Sequence, residues 1–241
     1  MTRTSAERDP QRFDDFAERY AFVAARAHDP AFFLRNLPRV RGRALEVGCG
    51  AGGLARTLAR HFDEVVAIDV SAPMLALARR DNAARNIVHR QMDANALALD
   101  GRFDFVVSHT TFHHLADVQR TLATLREHVA CAGRIAVVDA VADRPALPAW
   151  RFLTGAPLAF PGDCLRHGPA DALRMLRFRV SRRWLAHLTS DRYLSPQGFR
   201  EVFGAALPGA RFERAGRFLG AIWDAPPGEP PQCVSTSSVS T

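Results

Sequence analysis

The segment Leu45-Glu46-Val47-Gly48-Cys49-Gly50-Ala51-Gly52-Gly53 constrains this chain more than any other. It joins a short apolar run, Ala44–Val47, to a helical stretch over about 53–60. Glycines at such a turn let the backbone approach a ligand closely, and the opening turn of the helix leaves amides pointing at it. Read literally, Gly48, Gly50 and Gly53 satisfy the G-x-G-x-x-G spacing of nucleotide-binding turns. A second strand, 65–69, ends on Asp69, 21 residues after Gly48. A carboxylate there can accept bonds from the hydroxyl pair of a ribose. Together these features imply an adenosine-bearing cofactor.

The surrounding pattern is α/β. Ser71-Ala72-Pro73 opens a helix through about Ala84, with serine as cap and proline in the first turn. Strands follow at 87–90, 103–108 and 134–138, with a helix over about 117–129. Several strands are apolar throughout, which predicts a parallel sheet covered on both faces. Ahead of it, residues 11–39 read as helical, with Phe13, Phe16, Tyr20, Val23 and Ala24 on one stripe and a break at Pro30. The core is therefore predicted over 1–143. It is completed over 195–224 by a helix capped at Ser195 and a strand pair, 210–215 and 218–224. Residues 144–194, with five prolines and two of the three tryptophans, break the alternation and read as an inserted helical lid. The tail 225–241 is proline-rich, then Ser/Thr-rich, and is predicted to be disordered.

Charge narrows the chemistry. All 32 basic residues are arginine, so no lysine Schiff base, P-loop lysine or lysine base is available. The net charge is +7, and seven arginines against Asp171 and Asp191 place +5 of it between Arg166 and Arg192. Leu173, Leu176, Val180 and Trp184 share one predicted helical stripe there. Such a patch suits an acidic substrate, or a lipid-like one drawn from an anionic surface. His167, His187, Tyr193, Trp150 and Trp184 are further pocket candidates. The four cysteines are scattered, which argues against a disulfide framework or a zinc site. The N-terminus is charged and no apolar run reaches membrane-spanning length, so a cytoplasmic protein without membrane insertion is expected, as monomer or homodimer.

Glu46 discriminates among nucleotide cofactors. A carboxylate two residues before the first glycine would repel a pyrophosphate but can orient an ammonium group. The 43 residues ahead of the first strand also differ from dinucleotide domains that begin with it. At this point the sequence resembles the class I S-adenosylmethionine-dependent methyltransferases, in particular the small-molecule group that includes quinone C-methyltransferases. The resemblance covers about 10–140 and, more loosely, 195–224. It rests on Glu46–Gly52, Asp69–Leu75, Asp93-Ala94, Phe103–Val106, His113–Asp117 and Gly133-Arg134 in that order and spacing. It implies a Rossmann-like seven-stranded sheet, mostly parallel with the last strand antiparallel. It also implies a cofactor site in which Gly48, Cys49 and Gly50 take the methionine end, with Glu46 near it. Asp69 and Val70 would lie at the ribose, Met74 on the adenine, and Asp93 with the Ala94 amide at its amino group. Ser108 and His109 would flank the sulfonium.

Methyl transfer from a sulfonium needs alignment, exclusion of water and, for some acceptors, removal of a proton. Histidine suits the last task. His114 is the first candidate and His113 its substitute. Some methyltransferases of small amines pair a histidine at the place of His114 with a tyrosine on the N-terminal helix, where Tyr20 stands here. His109, His113 and Asp117 recur at four-residue spacing, but without a further spaced ligand no metal is expected. The motifs of base-amino and cytosine-carbon methyltransferases are missing and no RNA-binding module is visible, so a small-molecule acceptor is expected rather than nucleic acid. The competing readings are a nicotinamide-dependent oxidoreductase on a related fold, which has no use for Glu46, and a non-catalytic S-adenosylmethionine-binding protein.

Overall fold

The computed structural model describes residues 13–14, 16–27 and 29–227. Most of the tail expected to be disordered lies outside these residues. Two short helices, α1 (Ala17–Ala27) and α2 (Ala31–Arg35), lead into β1 (Arg43–Val47) and α3 (Gly53–Leu58). Then come β2 (Glu64–Asp69), α4 (Ala72–Asp81), β3 (Ile87–Gln91), β4 (Phe103–His109), α5 (Val118–Glu127) and β5 (Val129–Asp139). Three inserted helices follow: α6 (Ala149–His167), α7 (Pro169–Arg179) and α8 (Arg182–Ser190). The chain closes with α9 (Pro196–Ala206), β6 (Arg211–Ala215) and β7 (Phe218–Asp224).

The strands form one seven-stranded sheet in the order β3-β2-β1-β4-β5-β7-β6. β1 to β5 pair in parallel, and β7 alone runs against its neighbours β5 and β6. Ala44, Leu45 and Val47 of β1 and Val65 to Ile68 of β2 are almost wholly buried. Leu45, Val66, Val106 and Val137 pack on one face with α5 and α9. Ala44, Val65, Phe105 and Val138 pack on the other with α2 and α3. This two-sided burial is why the strands are continuously apolar. Chain order reverses between β1 and β4, and the crevice beyond the strands' carboxyl ends at such a reversal is where open α/β sheets bind ligands.

Two sequence expectations need correction. β5 starts at Val129, where the helix reading had run on, because Val129 pairs with Phe103 ahead of a bulge. The stripe Leu173–Leu176–Val180–Trp184 is not one helix face. Ser181 accepts a bond from the Trp184 amide and starts a new helix, so the stripe is cut in two. α7 instead buries Ala172, Met175 and Phe178, leaving Leu173 exposed.

Candidate active site

The cleft lies beyond the carboxyl ends of β1 to β4, beneath α1 and α8. Gly48 ends β1 at φ 73°, and its amide and that of Cys49 both donate to Ile68 O. A Cβ on Gly48 would sit 2.1 Å from Thr111 Oγ1, so only glycine lets the loop after β4 close over it. Gly50, at φ 51°, donates its amide to Asp69 Oδ2 at 2.8 Å, and nothing lies within 4 Å of where its Cβ would be. Bare backbone therefore faces the cleft. Asp69 Oδ1 accepts from the Ser71 amide, so each carboxylate oxygen keeps one lone pair for a ligand. Burial raises the Asp69 pKa, and the Ser71 and Gly50 amides oppose the rise. Val70, Met74, Asp93 and Ala94 continue the lining away from the loop, with Asp93 Oδ1 also accepting from the Asn95 amide.

Three expected cofactor contacts point elsewhere. Glu46 is buried under the loop and accepts from the Ala55 amide in the first turn of α3, while its Oε2 has no partner. Burial pushes its carboxyl up to about 8. Cys49 turns into the core beside Leu54 and Leu58, with its thiol pKa raised by burial. Ser108 donates to Val47 O at 2.8 Å, tying β4 to β1. All three are near the turn but hold it from behind. His109 lines the cleft, with its ring edge-on to Phe33 and Phe218.

At the other end of the cleft, Thr110 adopts φ 55°, a left-handed conformation rare for threonine. The chain thereby folds into a short 3-10 turn, Phe112–His114, that aims two imidazoles at the inserted helices. His113 Nδ1 lies 2.5 Å from Asp139 Oδ1 at the end of β5. His114 Nδ1 lies 3.4 Å from Asp191 Oδ1, just past α8. Asp191 also accepts from Tyr193 Oη at 3.1 Å and faces His187 Nε2 at 3.9 Å. Burial disfavours charge on both imidazoles, but Asp139 and Asp191 lift the His113 pKa above its ordinary value. For His114, burial and the neighbouring His113 charge prevail over Asp191, and its pKa falls. Burial would raise the Asp191 pKa, yet the bond to His114 and the three histidine charges hold it below the usual carboxylate value.

Tyr20 faces the same cleft from α1, with Thr110 as its hydrogen-bond partner in place of the expected His114. Phe13 packs edge-on against both Tyr20 and His114. Burial, Asp69 and Asp191 push the phenol up to about 12, so it stays a neutral donor. Trp184 and His187 stack beside it, whereas Trp150 is 64% exposed and His167 does not line the cleft. Sequence reasoning did not single out Asp139 or Asp191. Asp139 ends an apolar strand in the way Asp69 does, which was a readable cue; Asp191 had none. The suggested lid-arginine contact with an acidic substrate is not formed, because no arginine lines the cleft among the described residues. His109, His113 and Asp117 also do not converge: Asp117 caps α5 at the Arg120 amide. A different trio, His113, His114 and Asp191, could hold a cation, with ligand atoms within 4.8 Å of one another.

The comparisons with known proteins agree with this geometry. An uncharacterised methyltransferase of Mycobacterium bovis is 32% identical over 209 residues, covering 84% of this chain and 96% of that protein. The methyltransferase domain family matches residues 45–137. The chain belongs to the class I S-adenosylmethionine-dependent methyltransferases. Demethylmenaquinone methyltransferase of Thermus thermophilus is 38% identical over 108 residues, 43% of this chain and 49% of that protein, so this likeness spans about half of the relative. Among solved structures, the DhpI–SAH complex superposes with a TM-score of 0.54 at 21% identity, covering 88% of this chain and 97% of that one, which supports the fold. The methyltransferase takes S-adenosylmethionine as its cofactor, and the residues fit it. A glycine loop with open space at Gly50 and a carboxylate with spare lone pairs at Asp69 suit a ribose-bearing ligand.

Proposed function

We propose that this methyltransferase methylates a small-molecule acceptor seated between Tyr20 and the His113–His114–Asp191 cluster, at an O, N or C atom. The observation that carries the reading is a pair of adjacent imidazoles on the wall of the cofactor cleft, His113 beside Asp139 at 2.5 Å and His114 facing Asp191 at 3.4 Å. Their pKa values are pushed in opposite directions. Neighbouring groups with diverging pKa values divide acid and base roles between them. His114, kept neutral, takes the acceptor's proton, and ionised Asp191 stabilises the imidazolium that results. His113, held by Asp139, stays the more cationic member and fixes the 3-10 turn. Tyr20, a phenol at neutral pH, donates a hydrogen bond to the acceptor. Gly50, Asp69, Met74, Asp93 and the Ala94 amide hold the cofactor, while Glu46, Cys49 and Ser108 support the loop. When bound, S-adenosylmethionine supplies an already activated methyl group on its sulfonium. Phe13 lines the cleft, backed by Phe16 and Trp184, and this aromatic side would limit the access of water to the reacting groups.

Conversion of S-adenosylmethionine to S-adenosylhomocysteine, followed against a metabolite panel, is the direct test. Turnover with one acceptor, lost in His114→Ala while calorimetric S-adenosylhomocysteine binding persists, is the expected result. Turnover that survives His114→Ala overturns the assignment of the base. Binding without turnover on any acceptor would favour the non-catalytic reading.

A further inference from the structure

The arginines of the insertion do not line the cleft, and α6 has a face with no partner among the described residues. Its inward side buries Ala156 and Asp163, the latter ion-paired with Arg179, and half-buries Phe152 and Phe160. Its outward side is apolar as well. Leu165 is 89% exposed, Leu158 81% and Trp150 64%, with Leu153 exposed as well. Together with Pro157 and Pro161 they fall within one arc of about 140° on a helix turning about 100° per residue, along about 22 Å of its length. Contiguous apolar surface of this kind marks a contact site.

We propose that α6 lies in the headgroup layer of an anionic lipid bilayer and docks the enzyme on that surface. Charge selects this occupant. Between residues 144 and 194 eight of nine arginines are exposed, including Arg151 and Arg166 beside the apolar arc. The three aspartates of this segment offset few of them: Asp163 pairs with Arg179 and, at 3.8 Å, with Arg166, Asp191 faces histidines, and Asp171 is held by Arg26. Two copies meeting through this face would bring like charges together, whereas anionic headgroups neutralise them. A protein partner would find few polar anchors in the arc, where the Thr154 hydroxyl is already donated to the Trp150 and Arg151 carbonyls. Leucine and tryptophan with flanking arginines is the pattern of an interfacial helix. No helix among the described residues is long and apolar enough to cross a membrane, so α6 lies on the surface.

The test is sedimentation of the full chain with phosphatidylcholine vesicles, with and without about one-third phosphatidylglycerol. Binding is expected only with phosphatidylglycerol and is expected to weaken in high salt. Leu158→Asp/Leu165→Asp should lower it about tenfold or more without changing the melting temperature, since both side chains are exposed. Arg151→Gln and Arg166→Gln should each lower it about fivefold. Tryptophan emission should shift to the blue on binding, and Trp150→Phe should remove the shift. Binding that ignores phosphatidylglycerol, or persists undiminished in the double aspartate variant, overturns the proposal. So does the absence of vesicle binding, including the case of a dimer that the same double variant dissociates, which would assign the face to a second copy.

Discussion

The sheet and the three-helix insertion obey different rules, and the candidate site is built where they meet. In the sheet, strand ends place Gly48, Asp69, Asp93 and His109 along one edge, so chain order alone sets their neighbourhood. In the insertion, α6 packs mainly on α7, and its contributions to the cleft come from the end of α8: His187, Ser190 and Asp191. On the proposed reading, one region supplies the nucleotide half of the site and the other the partner of the base. The comparison leads to the expectation that cofactor binding and proton handling can be separated by mutation.

The largest effect should break that separation at the base. His114→Ala is expected to lower kcat/KM by about 10²–10⁴-fold with cofactor affinity unchanged, measured by turnover and calorimetry. Asp69→Asn should do the reverse, weakening S-adenosylhomocysteine binding by about 10–100-fold through loss of a charged acceptor.

Asp191→Asn sharpens the comparison from the insertion side. With His114 as the proposed base, its neutral form is the working one and its pKa lies below the ordinary imidazole value, so kcat/KM should hold at neutral pH and fall as pH drops through that lowered value. Removing the Asp191 charge takes away an influence that raises the His114 pKa, so the midpoint should move lower still, with a rate loss of about tenfold. A pH–rate profile with an unmoved midpoint would detach Asp191 from the base.

The smallest effect concerns the sheet alone. Glu46 titrates near 8 folded against an ordinary 4.5, so between these values the folded state holds the extra proton and stability falls as pH rises. Glu46→Gln should therefore raise the melting temperature of the ligand-free protein most near pH 8 and least near pH 5, by about 2–4 °C per kcal/mol gained. A pH-independent difference would count against the buried charge.

Most of the sheet was legible because two-sided burial demands apolar strands, and glycine at positive φ is a requirement that sequence displays. Gly50 and Asp69 could be paired from spacing alone, whereas the inward turn of Glu46, Cys49 and Ser108 could not. Side-chain direction at a strand end depends on the pleat and on what covers it. In the insertion, helical spacing suggested the wrong stripe, because Ser181 restarts the helix and the buried residues of α7 are mostly small or flexible.

The sequence by itself determined an α/β sheet, its nucleotide loop and the concentration of arginine in one insert, since these follow from local periodicity, backbone conformation and composition. Only the tertiary structure decided that Asp139 and Asp191, 52 residues apart, close on adjacent histidines, and that the arginines face outward. Such pairings are long-range contacts between separately packed elements, and no local pattern in the chain encodes which polar groups will share a buried space.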